Sequence, residues 1–324
     1  MAGPRIIFMG TPEFAVPSLG ALIMNGYDIV AVVSSPDKPA GRGLKMRRSA
    51  VSKFASDNLI RLLQPYKLSE PSFINDIQDL KPDIMVVVAF RKLPAEVWKI
   101  PAIGTFNLHA SLLPQYKGAA PINHAIINGE KSSGITSFLL DETIDTGKII
   151  FQQEIAIAPD DSAGNLHDKM MREGAKLVVN TVKALFSGKV KTIDQSTLIK
   201  DKDKLKKAPK INSKDCYIDW DRKNSDVYNF IRGLFPHPGA RTIFRKGSVD
   251  HMVKIGKCKC MKEHQHLGPG EIDSDGKNYL MIGTAGCAID IERLQLEGRK
   301  FMSVQEFLRG FDIKNTLVIK GPPA

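Results

Sequence analysis

Short, dense apolar runs alternate with longer stretches in which apolar residues recur at helical spacing, and this alternation organises the first 150 residues. Residues 6–9, 29–33, 84–89 and 104–107 read as strands buried on both faces, rich in β-branched side chains. Between them, residues 17–25, 49–58 and 72–80 read as amphipathic helices. Strand and helix in alternation imply a doubly wound α/β fold, a mostly parallel sheet with helices on both faces. Ligands of such sheets bind beyond the carboxyl ends of the strands. Met9-Gly10-Thr11-Pro12, Val88-Ala89-Phe90-Arg91 and Asn107-Leu108-His109 stand at such ends.

A long helix is predicted over residues 162–187. Asp161 or Ser162 would cap it, Leu166, Met170, Leu177, Val178 and Leu185 form its stripe, and Gly188 stops it. Residues 189–210 are Lys-rich and polar and read as a basic linker. Residues 226–234 read as a short helix, ended by Phe235-Pro236-His237-Pro238-Gly239. The runs 240–244, 253–258, 279–283 and 288–296 are strand-like, which predicts a small β-barrel or sandwich. The expected division is 1–188, a linker over 189–210, and a β domain over 211–324.

Charge sharpens this division. The 324 residues carry a net charge of +11, with 21 basic and 18 acidic groups in residues 1–190 but 25 and 17 in residues 191–324. A positive excess concentrated in this C-terminal minority of the chain suits a polyanion, nucleic acid above all. No window reaches the 18 or more apolar residues of a membrane span. The first residues lead into a strand and lack the plan of an export signal. Four cysteines, at 216, 258, 260 and 287, make no disulfide scaffold, so a reducing cytoplasm is expected. Nothing in the sequence demands a dimer, and a monomer is expected. Gly10-Thr11-Pro12 is not a dinucleotide fingerprint, so nicotinamide chemistry is not expected despite the sheet.

The candidate chemistry sits on the fourth run. Asn107 and His109 are two apart, so on a strand they share one side. Asp145, in Asp145-Thr146-Gly147, returns on a later loop that also carries Asp141. An amide donor, an imidazole and a carboxylate together stabilise an oxyanion and move a proton. No activated Ser or Cys accompanies them, so direct transfer between two bound substrates is expected rather than a covalent intermediate.

Asn107-Leu108-His109-Ala110-Ser111-Leu112-Leu113-Pro114, Tyr116-Lys117-Gly118-Ala119-Ala120-Pro121-Ile122 and Asp145-Thr146-Gly147 resemble the signature of the 10-formyltetrahydrofolate-dependent formyltransferases. Phe8-Met9-Gly10-Thr11-Pro12-Glu13-Phe14-Ala15-Val16-Pro17, the loop Pro36-Asp37-Lys38-Pro39-Ala40-Gly41-Arg42-Gly43, and Ala208-Pro209-Lys210-Ile211 before Ile218-Asp219-Trp220 extend the resemblance over nearly the whole chain. It implies a Rossmann-like catalytic domain, an OB-like barrel, and 10-formyltetrahydrofolate as formyl donor with no metal. It implies initiator methionyl-tRNA as acceptor, the α-amine of its methionine attacking the formyl carbon. Asn107 and His109 would then donate to the oxyanion, and Asp145 would pair with His109. For folate it points to Ser111, Leu112, Leu113 and Pro114, to the backbone of Val88, Ala89 and Phe90, and to Asp141. For tRNA it points to Arg42 and Lys45 in the 37–48 loop and to Lys206, Lys207 and Lys210. The chain departs from the pattern at Phe90-Arg91-Lys92-Leu93-Pro94, where a longer, Gly-containing turn is expected.

Other readings use the same residues. A formyltransferase acting on glycinamide ribonucleotide or an amino sugar has no use for the basic extension. A non-catalytic RNA-binding protein has no use for Asn107, His109 and Asp145, and a formylfolate hydrolase has none for the basic loop. Cys258-Lys259-Cys260 and His264-Gln265-His266 are x-separated pairs, but structural zinc sites usually begin with wider spacing, and no metal is expected.

Overall fold

The structure is a computed structural model and describes residues 3–40, 45–261 and 266–321. The chain folds into two compact units, one of Met1–Gly118, Ser133–Ala156 and His167–Lys207, the other of Ala119–Ser132, Ile157–Leu166 and Ala208–Ala324. The units are interleaved in sequence, where the sequence reading places single cuts at 188 and 210.

The first unit is built on a seven-stranded sheet in the order Ile149–Ala156, Ser132–Leu139, Gly104–His109, Ile84–Val88, Arg5–Gly10, Asp28–Val33, Leu62–Leu63. From Gly104–His109 to Leu62–Leu63 every pairing is parallel. Ser132–Leu139 runs antiparallel to Gly104–His109. Ile6, Ile7, Phe8 and Met9 are all fully buried, which explains a strand without polar alternation. The chain first builds outward from Arg5–Gly10, then returns to lay Ile84–Val88 on its other side. The strand order therefore reverses between these two strands, and their carboxyl ends open the crevice where such sheets bind ligands.

The helices Val16–Met24, Ala50–Asp57 and Pro71–Asp79 lie within two residues of expectation. Ser49 caps the second, its hydroxyl accepting the Ser52 N–H at 2.9 Å. Ala163–Phe186 is the long helix, and Ser162 Oγ accepts the Asn165 N–H at 3.2 Å at its start. The stretch read as a basic linker, 189–210, has structure of its own. Ile193 bridges to Ile149, Gln195–Leu198 forms a 3₁₀ turn, and the Gln195 side chain is buried. Its composition reads as loop because the hydrogen bonds it makes are mostly to backbone.

The second unit is an antiparallel sheet in the order Ile272–Asp273, Met281–Gly283, Ala288–Leu296, Val249–Met261, Ala240–Lys246, Thr316–Ile319. Irregular pairing between Val249–Met261 and Ala288–Leu296 around Lys257 bends the long strand. The sheet curls until its outer strands approach each other, giving a nearly closed barrel. Trp220, Phe244, Ile255, Ile289 and Phe307 fill it, and the Trp220 indole N–H donates to Thr242 Oγ1 at 3.1 Å. The helix Asn224–Leu234 buries Val227, Ile231 and Leu234 in the same core.

Candidate active site

Asn107 and His109 project from the carboxyl-terminal half of Gly104–His109, between Ile84–Val88 and Ser132–Leu139. His109 is buried, and its Nε2 lies 3.0 Å from the Tyr116 carbonyl. A carbonyl only accepts, so Nε2 carries the proton in that hydrogen bond. Nδ1 faces Asp145, 3.9 Å from its Oδ1. Asn107 is half-buried, and among the described residues its side chain has no hydrogen-bond partner. The site therefore presents one unengaged amide beside an imidazole whose Nδ1 side faces a carboxylate.

Asp145 is delivered by the loop between Ser132–Leu139 and Ile149–Ala156. It takes a left-handed backbone, φ 58°, and its Oδ2 accepts the Gly118 N–H at 3.2 Å. Thr146 Oγ1 donates to Asp141 at 2.8 Å, and the Thr143 N–H donates to the same carboxylate at 3.1 Å. Gly147 closes the loop against Leu139, whose carbonyl a Cβ at 147 would meet at 1.7 Å. Lys117 stands beside these acids. Burial lowers its ammonium pKa from the ordinary lysine value, and the charges of Asp145 and Asp141 act in the opposite sense.

The segment expected to meet folate is largely turned inward. Ser111 is fully buried and its hydroxyl donates to the Gln115 carbonyl at 2.6 Å. Thr136 Oγ1 donates to Ser111 O at 2.6 Å and accepts from Leu113 N at 3.2 Å, while Gln152 donates to Leu113 O at 2.8 Å. Leu113 and Pro114 are buried, leaving Leu112 half-buried as the partly exposed side chain of the four. Val88 is buried, so only its backbone is available, whereas Ala89 is exposed with φ 47° and Phe90 is half-buried. In the departing turn Arg91 donates to the carbonyls of Tyr66 and Pro65 and lies over the Phe90 ring, 5.5 Å from its centroid. Asp141 is exposed on its own loop.

Among the basic candidates, Arg42 and the Lys45 side chain lie outside the described residues. The Lys45 backbone opens the second strand of a hairpin, Lys38–Ala40 with Lys45–Arg47. Lys206, Lys207 and Lys210 are exposed. The Lys206 backbone is tied to the loop after His109: its N–H donates to Gln115 Oε1 at 2.8 Å and its carbonyl accepts the Tyr116 N–H at 2.7 Å. Tyr116 thus carries His109 on one side of its peptide and the lysine segment on the other, a role its sequence gives no signal for. Of the cysteine and histidine pairs, Cys258 is buried, which pushes its thiol well above the ordinary range, and Cys260 is exposed. His264 and Gln265 lie outside the described residues. Among the described residues no group of three or more His, Cys, Asp or Glu side chains could hold a metal ion, and no helix is long and apolar enough to cross a membrane.

The Formyl transferase family profile matches residues 4–182, and that of the Formyl transferase, C-terminal domain matches residues 210–312. The methionyl-tRNA formyltransferase of Bacteroides fragilis is 45% identical over 317 residues, 98% of this chain and 98% of its own. That of Azobacteroides pseudotrichonymphae is 49% identical over 94% of this chain and 95% of its own. Among solved structures, the N-formyltransferase of Helicobacter canadensis, in complex with folinic acid and dTDP-3-aminofucose, has a TM-score of 0.66 at 24% identity, over 90% of this chain and 99% of its own. HypX from Aquifex aeolicus, in complex with tetrahydrofolic acid, has a TM-score of 0.63 at 18% identity, over 100% of this chain and 49% of its own. At these identities the two structures share its fold.

Proposed function

The chain belongs to the formyl transferase family, and within it we propose that it moves a formyl group from 10-formyltetrahydrofolate to the α-amine of methionine on initiator methionyl-tRNA. The observation that carries this reading is the unengaged Asn107 amide beside the buried His109 and Asp145, at the strand ends of a doubly wound sheet. Folate supplies the formyl carbon on which the amine acts. The exposed backbone at Ala89, the half-buried Phe90 and Leu112, and the carboxylate of Asp141 would hold it. These groups fit a flat, polar-edged ring system, since a strand end offers both donors and acceptors while Phe90 and Leu112 offer apolar surface.

Each residue then has one task. Asn107 donates to the formyl oxygen as negative charge develops there. His109, its Nε2–H held by Tyr116, turns Nδ1 to the reacting amine, takes its proton as the new carbon–nitrogen bond forms, and returns it to the folate nitrogen as the bond from that nitrogen to the formyl carbon breaks. Asp145 offers its carboxylate to the ring as positive charge develops on it. Lys206, Lys207 and Lys210 meet phosphates of the RNA, which hold it without reading sequence, while Arg42, with Lys45 in the same basic loop, reaches toward the acceptor end. We place the chain in the cytoplasm, a reading supported by its four free cysteines, and take it to be a monomer.

Single-turnover transfer from labelled 10-formyltetrahydrofolate tests this, with methionylated initiator tRNA, free methionine and a nucleotide-linked amino sugar as parallel acceptors. Labelling of the tRNA alone is expected. Preferential labelling of the amino sugar would replace the acceptor while keeping the folate chemistry.

A further inference from the structure

Gln195 lies outside every motif in the sequence and within the stretch that reads as linker. Its side chain is only 3% exposed. Its Nε2 donates to two backbone carbonyls of the catalytic loop, Asp145 O at 3.1 Å and Gly147 O at 2.8 Å. One amide thus joins the 145–146 and 147–148 peptides of this loop. The turn that carries Gln195 is itself anchored. Ile193 and Ile149 exchange both backbone hydrogen bonds, at 2.8 and 2.9 Å, and Asp194 Oδ1 accepts the Ser196 N–H at 2.8 Å.

The loop needs such a hold. Asp145 has φ 58°, a left-handed conformation that aspartate tolerates better than most side chains but still at a cost, which its surroundings must offset. Thr146 and Asp141 tie the loop to itself, but neither fixes it to the sheet. Gln195 does so from the far side, at the carbonyl of the very residue whose carboxylate lies between His109 Nδ1 and the Gly118 N–H. Among the described residues its Oε1 is buried without a partner, so the side chain is not there to satisfy itself.

We infer that Gln195 is a positioning residue for formyl transfer, fixing the Asp145 backbone so that its carboxylate meets the His109 imidazole. The inference rests on the proposed His109–Asp145 pair. A buried glutamine that merely stabilised the fold would lower activity whatever occupied position 145. One that acts through Asp145 has nothing left to do once that carboxylate is gone.

A double-mutant cycle separates the two. Gln195→Met keeps the volume and removes the donor. It is expected to lower kcat about 10²-fold, the scale of a misplaced catalytic group, while KM for both substrates stays within about twofold. Placed on Asp145→Ala, it is expected to lower kcat by less than about twofold more. The same loss in both backgrounds would overturn the inference and leave the catalytic pair standing, as would normal turnover of Gln195→Met alone. Normal turnover of Asp145→Ala would remove the pair itself, and the inference with it. Should Gln195→Met not yield folded protein, Gln195→Asn, which keeps the amide but is too short to span both carbonyls, runs through the same cycle.

Discussion

His109 Nδ1 and Asp145 Oδ1 stand 3.9 Å apart, the length of an ion pair and beyond that of a hydrogen bond. The other ring nitrogen is held more tightly, 3.0 Å from the Tyr116 carbonyl. The imidazole is thus oriented by a backbone carbonyl, while the carboxylate faces its other nitrogen without a hydrogen bond between them. Asp145→Asn keeps an acceptor for Gly118 and removes the charge alone. It should lower single-turnover rate by about 10²–10³ with tRNA affinity unchanged. A rate near wild type would show that Asp145 serves only to hold its loop.

Asn107 calls for the complementary test, because its amide has no partner among the described residues. Asn107→Ala should cost little stability and lower kcat by about 10²–10³, the measured scale for removing one oxyanion donor. Its thermal unfolding should match wild type. Loss of rate together with a large drop in stability would place Asn107 in the scaffold instead.

Gly147 is fixed by close approach, not by backbone freedom. A Cβ there would lie 1.7 Å from the Leu139 carbonyl, a backbone atom that cannot swing aside. Gly147→Ala should therefore destabilise by about 3 kcal/mol or more. Gly188 is the control: at φ 66° it has open space around it, and Gly188→Ala should cost about 1–2 kcal/mol from backbone strain alone. Denaturant midpoints measure both. Similar small losses would mean that the Asp145 loop yields readily.

Much of this is legible in residue pattern. The strands Arg5–Gly10, Asp28–Val33, Ile84–Val88 and Gly104–His109 announce themselves because burial on both faces leaves continuous apolar runs. Period two alone puts Asn107 and His109 on one side. Ser132–Leu139 escapes the pattern, since Ser133, Thr136 and Ser137 look polar although all are buried. Their setting explains them: Thr136 bonds Ser111 O, Thr181 bonds Ser137 Oγ, and at Gly134 a Cβ would meet Gln153 O at 2.3 Å. Gln195 bonds backbone carbonyls 50 and 48 residues away, and Tyr116 accepts the His109 ring through its own carbonyl; no spacing rule finds such pairings. Nor does spacing say which His109 nitrogen faces Asp145.

In the barrel unit, Asp275 accepts the backbone N–H groups of Lys277 at 2.9 Å and Asn278 at 2.7 Å. These bonds to the charged form hold its carboxyl down at about 2, below the ordinary 3.8. The unfolded chain therefore binds the proton first as pH falls. The stabilisation is fully present above pH 3.8 and is lost as pH falls through about 2. Asp275→Asn should remove this part of the acid dependence and leave stability at neutral pH lower. A carboxyl carbon that titrates near 4 by NMR would contradict it.

Lys206, Lys207 and Lys210 allow RNA binding to be separated from loop support. Lys206 holds Gln115 and Tyr116 through its backbone, which an alanine keeps. Each Lys→Ala change should thus weaken tRNA binding without altering turnover at saturating tRNA. If a lysine meets one phosphate, its loss should reduce the slope of log K against log salt by about 0.7–0.9. Titrations at several salt concentrations give that slope directly. An unchanged slope with a lowered turnover would mean that the segment matters for how it braces Tyr116 and His109, and that the phosphates are met elsewhere.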